Sequence, residues 1–253
     1  MKIWILLLGS AMFAMDVLAQ SDSVDLEKLR RESGVDPTRV QSRAGYSILV
    51  QDLPENAGII TNRFSLNLGV SRWTFVVKAE SVTRTPDVPG TGFHSGFGDI
   101  RFNVLNAFFV TEKHALAGNV EFSIPTGGTR YGSGYFSATP AMTYSYTFNP
   151  TLFFAIQPQY SFDIMKDPAY PELSVVTIRS FVAKFTKSGY FFVFEPRPIF
   201  DLASKKTDFV ISPIIGKALG AGFNLIGLAE IALTENLRNN RGQIFQLGVN
   251  KNF

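Results

Sequence analysis

From Gly45 to Phe253 the sequence alternates apolar and polar residues in one segment after another, and this period of two restricts the chain to β-strands with one apolar face. The segment TLFFAIQPQYSFDI puts Leu152, Phe154, Ile156, Tyr160, Phe162 and Ile164 on one face. Gln157, Gln159, Ser161 and Asp163 fall on the other. In ALAGNVEFSI, Leu116, Val120, Phe122 and Ile124 oppose Asn119, Glu121 and Ser123. The final segment, QIFQLGVNKNF, sets Phe245, Leu247, Val249 and Phe253 against Gln246, Gly248, Asn250 and Asn252. Lys251 stands there where an apolar residue is expected.

Twelve such segments are predicted: 45–52, 58–69, 72–82, 97–110, 115–124, 135–147, 151–164, 173–185, 190–201, 207–217, 222–234 and 243–253. Most reach the ~9–11 residues a tilted strand needs to cross a bilayer. Their connections alternate in kind. Val70-Ser71, Thr111 to His114, Phe148 to Pro150, Thr186 to Gly189 and Ala218 to Ala221 are tight. Thr83 to Gly96, Pro125 to Gly134, Met165 to Glu172 and Glu235 to Gly242 are longer. Short periplasmic turns with longer external loops mark outer-membrane barrels. The expected fold is all-β: an antiparallel up-and-down transmembrane β-barrel of about twelve strands over residues 45–253, with ten or fourteen as alternatives.

Lys2, the apolar run Ile3 to Met15 and Val17-Leu18-Ala19 before Gln20 describe a cleaved secretory signal peptide over residues 1–19. Residues 20–44 are polar and charged. They are expected to form a periplasmic segment, either disordered or a short helix that acts as an amphipathic plug. Asp22 is the expected cap of that helix, Leu26 and Leu29 its apolar face, and Gly34 and Pro37 its end.

Composition agrees with this reading. Mean hydropathy is +0.10 and 45% of residues are hydrophobic, although no window past the leader reads as a membrane helix. Alternation hides lipid-facing residues from hydropathy windows. The 24 phenylalanines suit the aromatic girdles of a barrel. The chain has no cysteine, which excludes disulfides and thiolate metal sites, and a net charge of +3 is too small to indicate nucleic acid.

Pro140, Pro158, Pro196, Pro198 and Pro213 fall inside predicted strands, on the lipid-facing parity. Each removes a ladder donor, so bulges, bends or lateral gaps in the wall are expected there.

Parity turns Arg63, Lys78, Glu80, Asp99, Arg101, Glu121, Asp163, Arg179, Glu195, Arg197 and Glu230 into the lumen. Charges of both signs there imply either a salt-bridge network that holds the barrel's shape or a charged constriction that selects solutes. Strand 173–185 is ambiguous, because Arg179 and Lys184 have opposite parity. Catalytic signals are weak. His94 and Ser95 are adjacent, and adjacent residues of an extended chain point to opposite sides. His114 reads as a solvated turn residue, and Gly127-Gly128-Thr129-Arg130 as a flexible external loop. No cluster has metal-ligand spacing, and no cofactor is expected.

Two short motifs carry a resemblance. Gly96-Phe97-Gly98-Asp99-Ile100 opens a long strand, and the next strand ends in Pro125-Thr126-Gly127 before a glycine-rich loop. This order resembles the outer-membrane transporter family of the MetA pathway of phenol degradation. The resemblance implies a twelve-stranded type of barrel and transport of small hydrophobic or aromatic solutes, with no catalytic residues. Asp99 is expected to point inward and pair with Arg101 or a neighbouring strand's arginine. The functional expectation is a narrow passive channel in the outer membrane, with solutes passing through the lumen or the wall. A lipid-modifying hydrolase and a purely structural barrel are the alternatives. Expected partners are outer-membrane lipid and lipopolysaccharide, a small solute, and the barrel assembly machinery, which would read the strand ending at Phe253.

Overall fold

The computed structural model describes residues 25–53, 58–85, 92–234 and 242–253. The leader expected over 1–19 and the expected cap Asp22 lie outside them. Thirteen strands form a single antiparallel sheet. They are β1 (Arg43–Asp52), β2 (Gly58–Val70), β3 (Trp73–Arg84), β4 (His94–Phe97), β5 (Ile100–Val110), β6 (His114–Ile124) and β7 (Tyr135–Asn149), followed by β8 (Leu152–Lys166), β9 (Ser174–Phe185), β10 (Tyr190–Asp201), β11 (Lys206–Gly220), β12 (Phe223–Ala232) and β13 (Gln243–Asn252).

β1 pairs with both β2 and β13, so the sheet closes into a barrel. β4 and β5 both pair with β3 and form one stave, which makes twelve staves in all. The continuous strand expected over 97–110 is therefore broken at Gly98-Asp99. The cause is a close approach: the Gly98 amide donates to the Glu80 carbonyl at 2.8 Å. A Cβ at Gly98 would sit 2.9 Å from that of Glu80.

The alternation places side chains as expected. On β13, Phe245, Leu247 and Val249 are exposed on the outer face, where hydrocarbon would cover them. Aromatic residues ring the end that carries the tight turns: Trp73, Phe109, Tyr144, Phe148, Phe192 and Phe223 are all exposed there. His114 belongs to this girdle rather than to bare solvent, since its Nδ1 lies 2.8 Å from the Tyr144 hydroxyl. Lys251 also fits the rim. Its Nζ lies 4.6 Å from the centroid of the Phe223 ring and donates to the Ala221 carbonyl. On β9 the ambiguity resolves with Arg179, Phe181 and Phe185 inward and Lys184 outward.

The strand prolines produce gaps, not bulges. An antiparallel residue directs its N–H to one neighbouring strand only, so a proline weakens one seam and spares the other. Pro140 stays in register with Val120, and Pro158 with Ile178. Across the β7–β8 seam that both prolines face, the ladder is interrupted and resumes unshifted, from Ala138↔Phe162 to Ala141↔Gln159 to Tyr144↔Ile156. The β9–β10 ladder skips Glu195 to Pro198, while β10–β11 runs through them. The β11–β12 ladder skips Ser212 and Pro213. Register shifts occur elsewhere, near strand ends, as between Asn106 and Phe109 and between Ala218 and Gly220.

The N-terminal segment folds back inside the barrel. Helix α1 (Leu26–Ser33) is capped by Asp25, not by Asp22: its Oδ1 accepts from the amides of Glu27 at 3.0 Å and Lys28 at 3.2 Å. Gly34 ends it at φ +69°, the left-handed conformation that glycine adopts without penalty. Leu29 is 1% exposed and packs on inward-facing Phe153, Ala155, Phe181, Phe185 and Phe191. Burying such a leucine contributes about 1.5–3 kcal/mol. The chain then crosses the barrel floor. Val40 packs on Leu105, Ala107 and Ala117, and the Ser42 hydroxyl accepts from the Gly69 amide at 2.9 Å. Small inward residues make room for this crossing, since a Cβ at Gly69 would lie 2.8 Å from Val40. In the described part of residues 20–44, helix α1 packs inside the barrel as a plug.

Candidate functional site

Nine of the eleven predicted lumen charges meet in two ionic networks. The first spans β2, β3, β5 and β6. Arg63 Nε contacts Glu80 Oε1 at 2.7 Å, and Lys78 Nζ contacts Glu121 Oε2 at 2.6 Å. Arg101 lies 3.9 Å from both carboxylates. The second spans β9, β10 and β12. Glu195, with its side chain 2% exposed, accepts from Arg179 Nε at 2.5 Å and Arg197 Nε at 2.7 Å. Arg197 also reaches Glu230 at 2.8 Å. Glu195 and Arg197, two residues apart on β10, are thus in direct contact, whereas Asp99 and Arg101 are not.

Asp99 and Asp163 belong to neither network; they tether loops at the end opposite the tight turns. Asp163 Oδ1 accepts from the Leu173 amide at 2.7 Å. The buried carboxylate of Asp99 accepts from the amides of Ser133 at 2.7 Å and Gly127 at 3.3 Å. The expected pairing of Asp99 with an arginine is therefore corrected. Asp99 sits at the break between β4 and β5, beside the loop that follows β6, and the amides of that loop satisfy its carboxylate. The Thr126 hydroxyl donates to the Gly98 carbonyl at 2.8 Å, which joins the two sequence motifs directly. Against the flexible loop expected over Gly127 to Arg130, residues Gly128–Tyr131 form a helical turn, α2. The Tyr170 hydroxyl donates to Thr129 O at 3.1 Å.

Between the plug and the networks lies a chamber of about 340 Å³. Ser33, Gly34 and Val35 form its floor, and Arg63, Lys78, Arg179 and Glu195 reach it from above. Sequence reasoning missed three components. Arg43 lines the chamber from β1. The inward phenylalanines of β8 to β10 make the plug's seat. The plug itself is held by Arg30 and Asp36, whose Nη2 and Oδ2 atoms lie 2.6 Å apart with both side chains almost wholly buried. Asp36 also accepts from the Thr38 amide and hydroxyl, at 2.9 and 2.6 Å, and Arg30 donates to the Thr147 hydroxyl at 2.6 Å. The inward Phe153, Ala155, Phe181, Ala183, Phe185 and Phe191 near the tight turns were the available signal, because an aqueous floor would not carry them.

His94 and Ser95 sit side by side on β4, and the Ser95 hydroxyl lies 2.8 Å from that of Thr83. Among the described residues no hydrogen bond joins Ser95 to a histidine.

Residues 28–175 match the family described as "Putative MetA-pathway of phenol degradation". The chain belongs to that family. In this MetA-pathway family member the match begins within α1, so most of the plug falls in the family region along with both motifs. A comparison of the sequence with curated proteins gave no match. Among solved structures, the COG4313 outer membrane channel from Pseudomonas putida F1 superposes with a TM-score of 0.63 at 12% identity, covering 85% of this chain and 96% of that one. The KdgM porin gives 0.60 at 8% identity, over 83% and 99% of the two chains. The NanC porin gives 0.57 at 12% identity, over 83% and 98%. At these identities the likeness is one of fold, and the fold is that of outer-membrane channels and porins.

Proposed function

We propose that this family member is a narrow outer-membrane channel for small solutes, held closed on the periplasmic side by its own N-terminal segment. The tight turns would face the periplasm and the Asp99-tethered loops the exterior. The observation that carries this reading is the chamber itself: an unfilled space between two charged networks and a built floor. Eight-stranded barrels are filled by side chains and 16–18-stranded porins are open, so twelve staves leave room for a lumen that a plug can control. Small solutes with an apolar body suit the side of the chamber lined by Phe181, Val193, Ile214 and Ile226. Outer-membrane lipid and lipopolysaccharide would surround the apolar band. The assembly machinery would receive the outward stripe of β13.

The charge networks supply the test. Glu121→Ala leaves Lys78 and Arg101 without that carboxylate and should move ion selectivity towards anions. Arg101→Ala should move it towards cations. Planar-bilayer recordings of purified protein read both shifts, and selectivity unchanged in both variants would remove the lumen from the conducting path.

A further inference from the structure

The chamber has two unlike walls. On one side Arg43, Arg63 and Lys78 reach it from the adjacent strands β1, β2 and β3. On the other, Phe181, Val193, Ile214 and Ile226 line it from β9 to β12. The cations are not equivalent. Arg63 and Lys78 each hold a carboxylate, Glu80 and Glu121 respectively. Arg43 holds none: no ion pair among the described residues includes it. With its carboxamide oxygen turned to Arg43, Asn67 accepts from Nε at 2.9 Å and Nη2 at 3.1 Å. A neutral amide satisfies hydrogen-bond geometry but leaves the charge uncompensated. Nη1 of Arg43 reaches so close to Gly34 that a side chain there could not be accommodated, so the plug's turn fixes the guanidinium in place. Four cationic side chains and a single carboxylate, Glu195, line the chamber in all.

We propose that this chamber is a binding site for a small amphipathic anion: a monocarboxylate on an apolar, ring-sized body. Asn67 occupies the Nε–Nη2 edge of Arg43, so the carboxylate takes the Nη1–Nη2 edge, whose paired N–H donors suit two-point recognition of planar anions. The body packs on Phe181, Val193, Ile214 and Ile226. A volume of about 340 Å³ is at the small end of ligand pockets, which limits the body to about one ring. The assignment rests on the channel reading for its biological use, but not for its chemistry.

Calorimetric titration of the purified full-length protein in detergent tests it, with benzoate as probe and its uncharged amide, benzamide, as control. Benzoate should bind at least about 10-fold more tightly than benzamide. Arg43→Gln should abolish that difference, and Arg43→Lys should retain part of it. Ile226→Trp, which fills the apolar wall, should weaken both probes alike. Heat-modifiable migration confirms that each variant is folded. Equal binding of the two probes, absence of benzoate binding, or a preference that survives Arg43→Gln would overturn the assignment. Conductance of the same preparations separates this from the channel reading. A conducting protein without benzoate preference loses the site alone, and a benzoate-selective protein that never conducts loses the channel alone.

Discussion

The guanidinium of Arg30 lies 4.3 Å from the centroid of the Phe153 ring, the first inward-facing residue of β8. Through this contact the plug carries its own cation onto the apolar seat that receives it. Arg30 is buried there only because Asp36 neutralises it within the same segment. The plug therefore docks as a neutral unit with an apolar face, which avoids exposing a bare charge to the phenylalanines.

Asp36→Ala leaves Arg30 buried without its carboxylate, a change that costs about 3–5 kcal/mol. The loss falls on docking of the segment and not on the β-ladder. Hydrogen exchange should rise across residues 26–42 while the barrel remains heat-modifiable. Exchange protection equal to wild type would show that the ion pair does not hold the plug.

Asp99 joins the two family motifs, so its removal should be felt in the loop that follows β6. Each hydrogen bond to a charged acceptor is worth about 1.5–3 kcal/mol. Asp99→Ala should increase amide exchange at Gly127 and Ser133 with little effect at Arg101, and Asp99→Asn should fall between. Unchanged exchange at Gly127 and Ser133 would show that Asp99 does not hold the loop.

The β7–β8 seam lacks ladder pairs on either side of Ala141↔Gln159, and side chains bridge both interruptions. The hydroxyls of Thr139 and Ser161 lie 2.9 Å apart, and Gln157 Nε2 donates to the Thr143 hydroxyl at 2.8 Å. Since the chain has no native cysteine, Thr139→Cys with Ser161→Cys can lock the seam without competing thiols. If solutes leave through the wall, the oxidised double variant should lose uptake of hydrophobic solutes and regain it on reduction. Uptake that ignores the oxidation state assigns the route to the barrel axis.

Much of this was legible from the period of two. Parity turned all eleven charges into the lumen, and nine of them meet in networks. Parity could not tell Asp99 and Asp163 from the rest. Their partners are loop amides, whose positions depend on how the loops fold back. It also could not say which seam each proline weakens, because that depends on register with the neighbouring strands. The plug was harder still. Arg30, Asp36 and Thr38 sit in a stretch that is polar and charged, and Arg30 and Thr38 bond to wall residues more than a hundred positions away. The inward Phe153, Phe181, Phe185 and Phe191 were the readable clue, since they share parity with the charges above them and require an apolar occupant.

Planar-bilayer conductance of the full-length protein, compared with a form lacking residues 25–41, tests the central claim most directly. If the N-terminal segment closes the passage, the full-length protein should show small or infrequent openings. The shortened form should show a larger, long-lived conductance at the same protein density. Identical conductance in the two forms, or silence in both, would contradict a channel controlled by its own N-terminal plug.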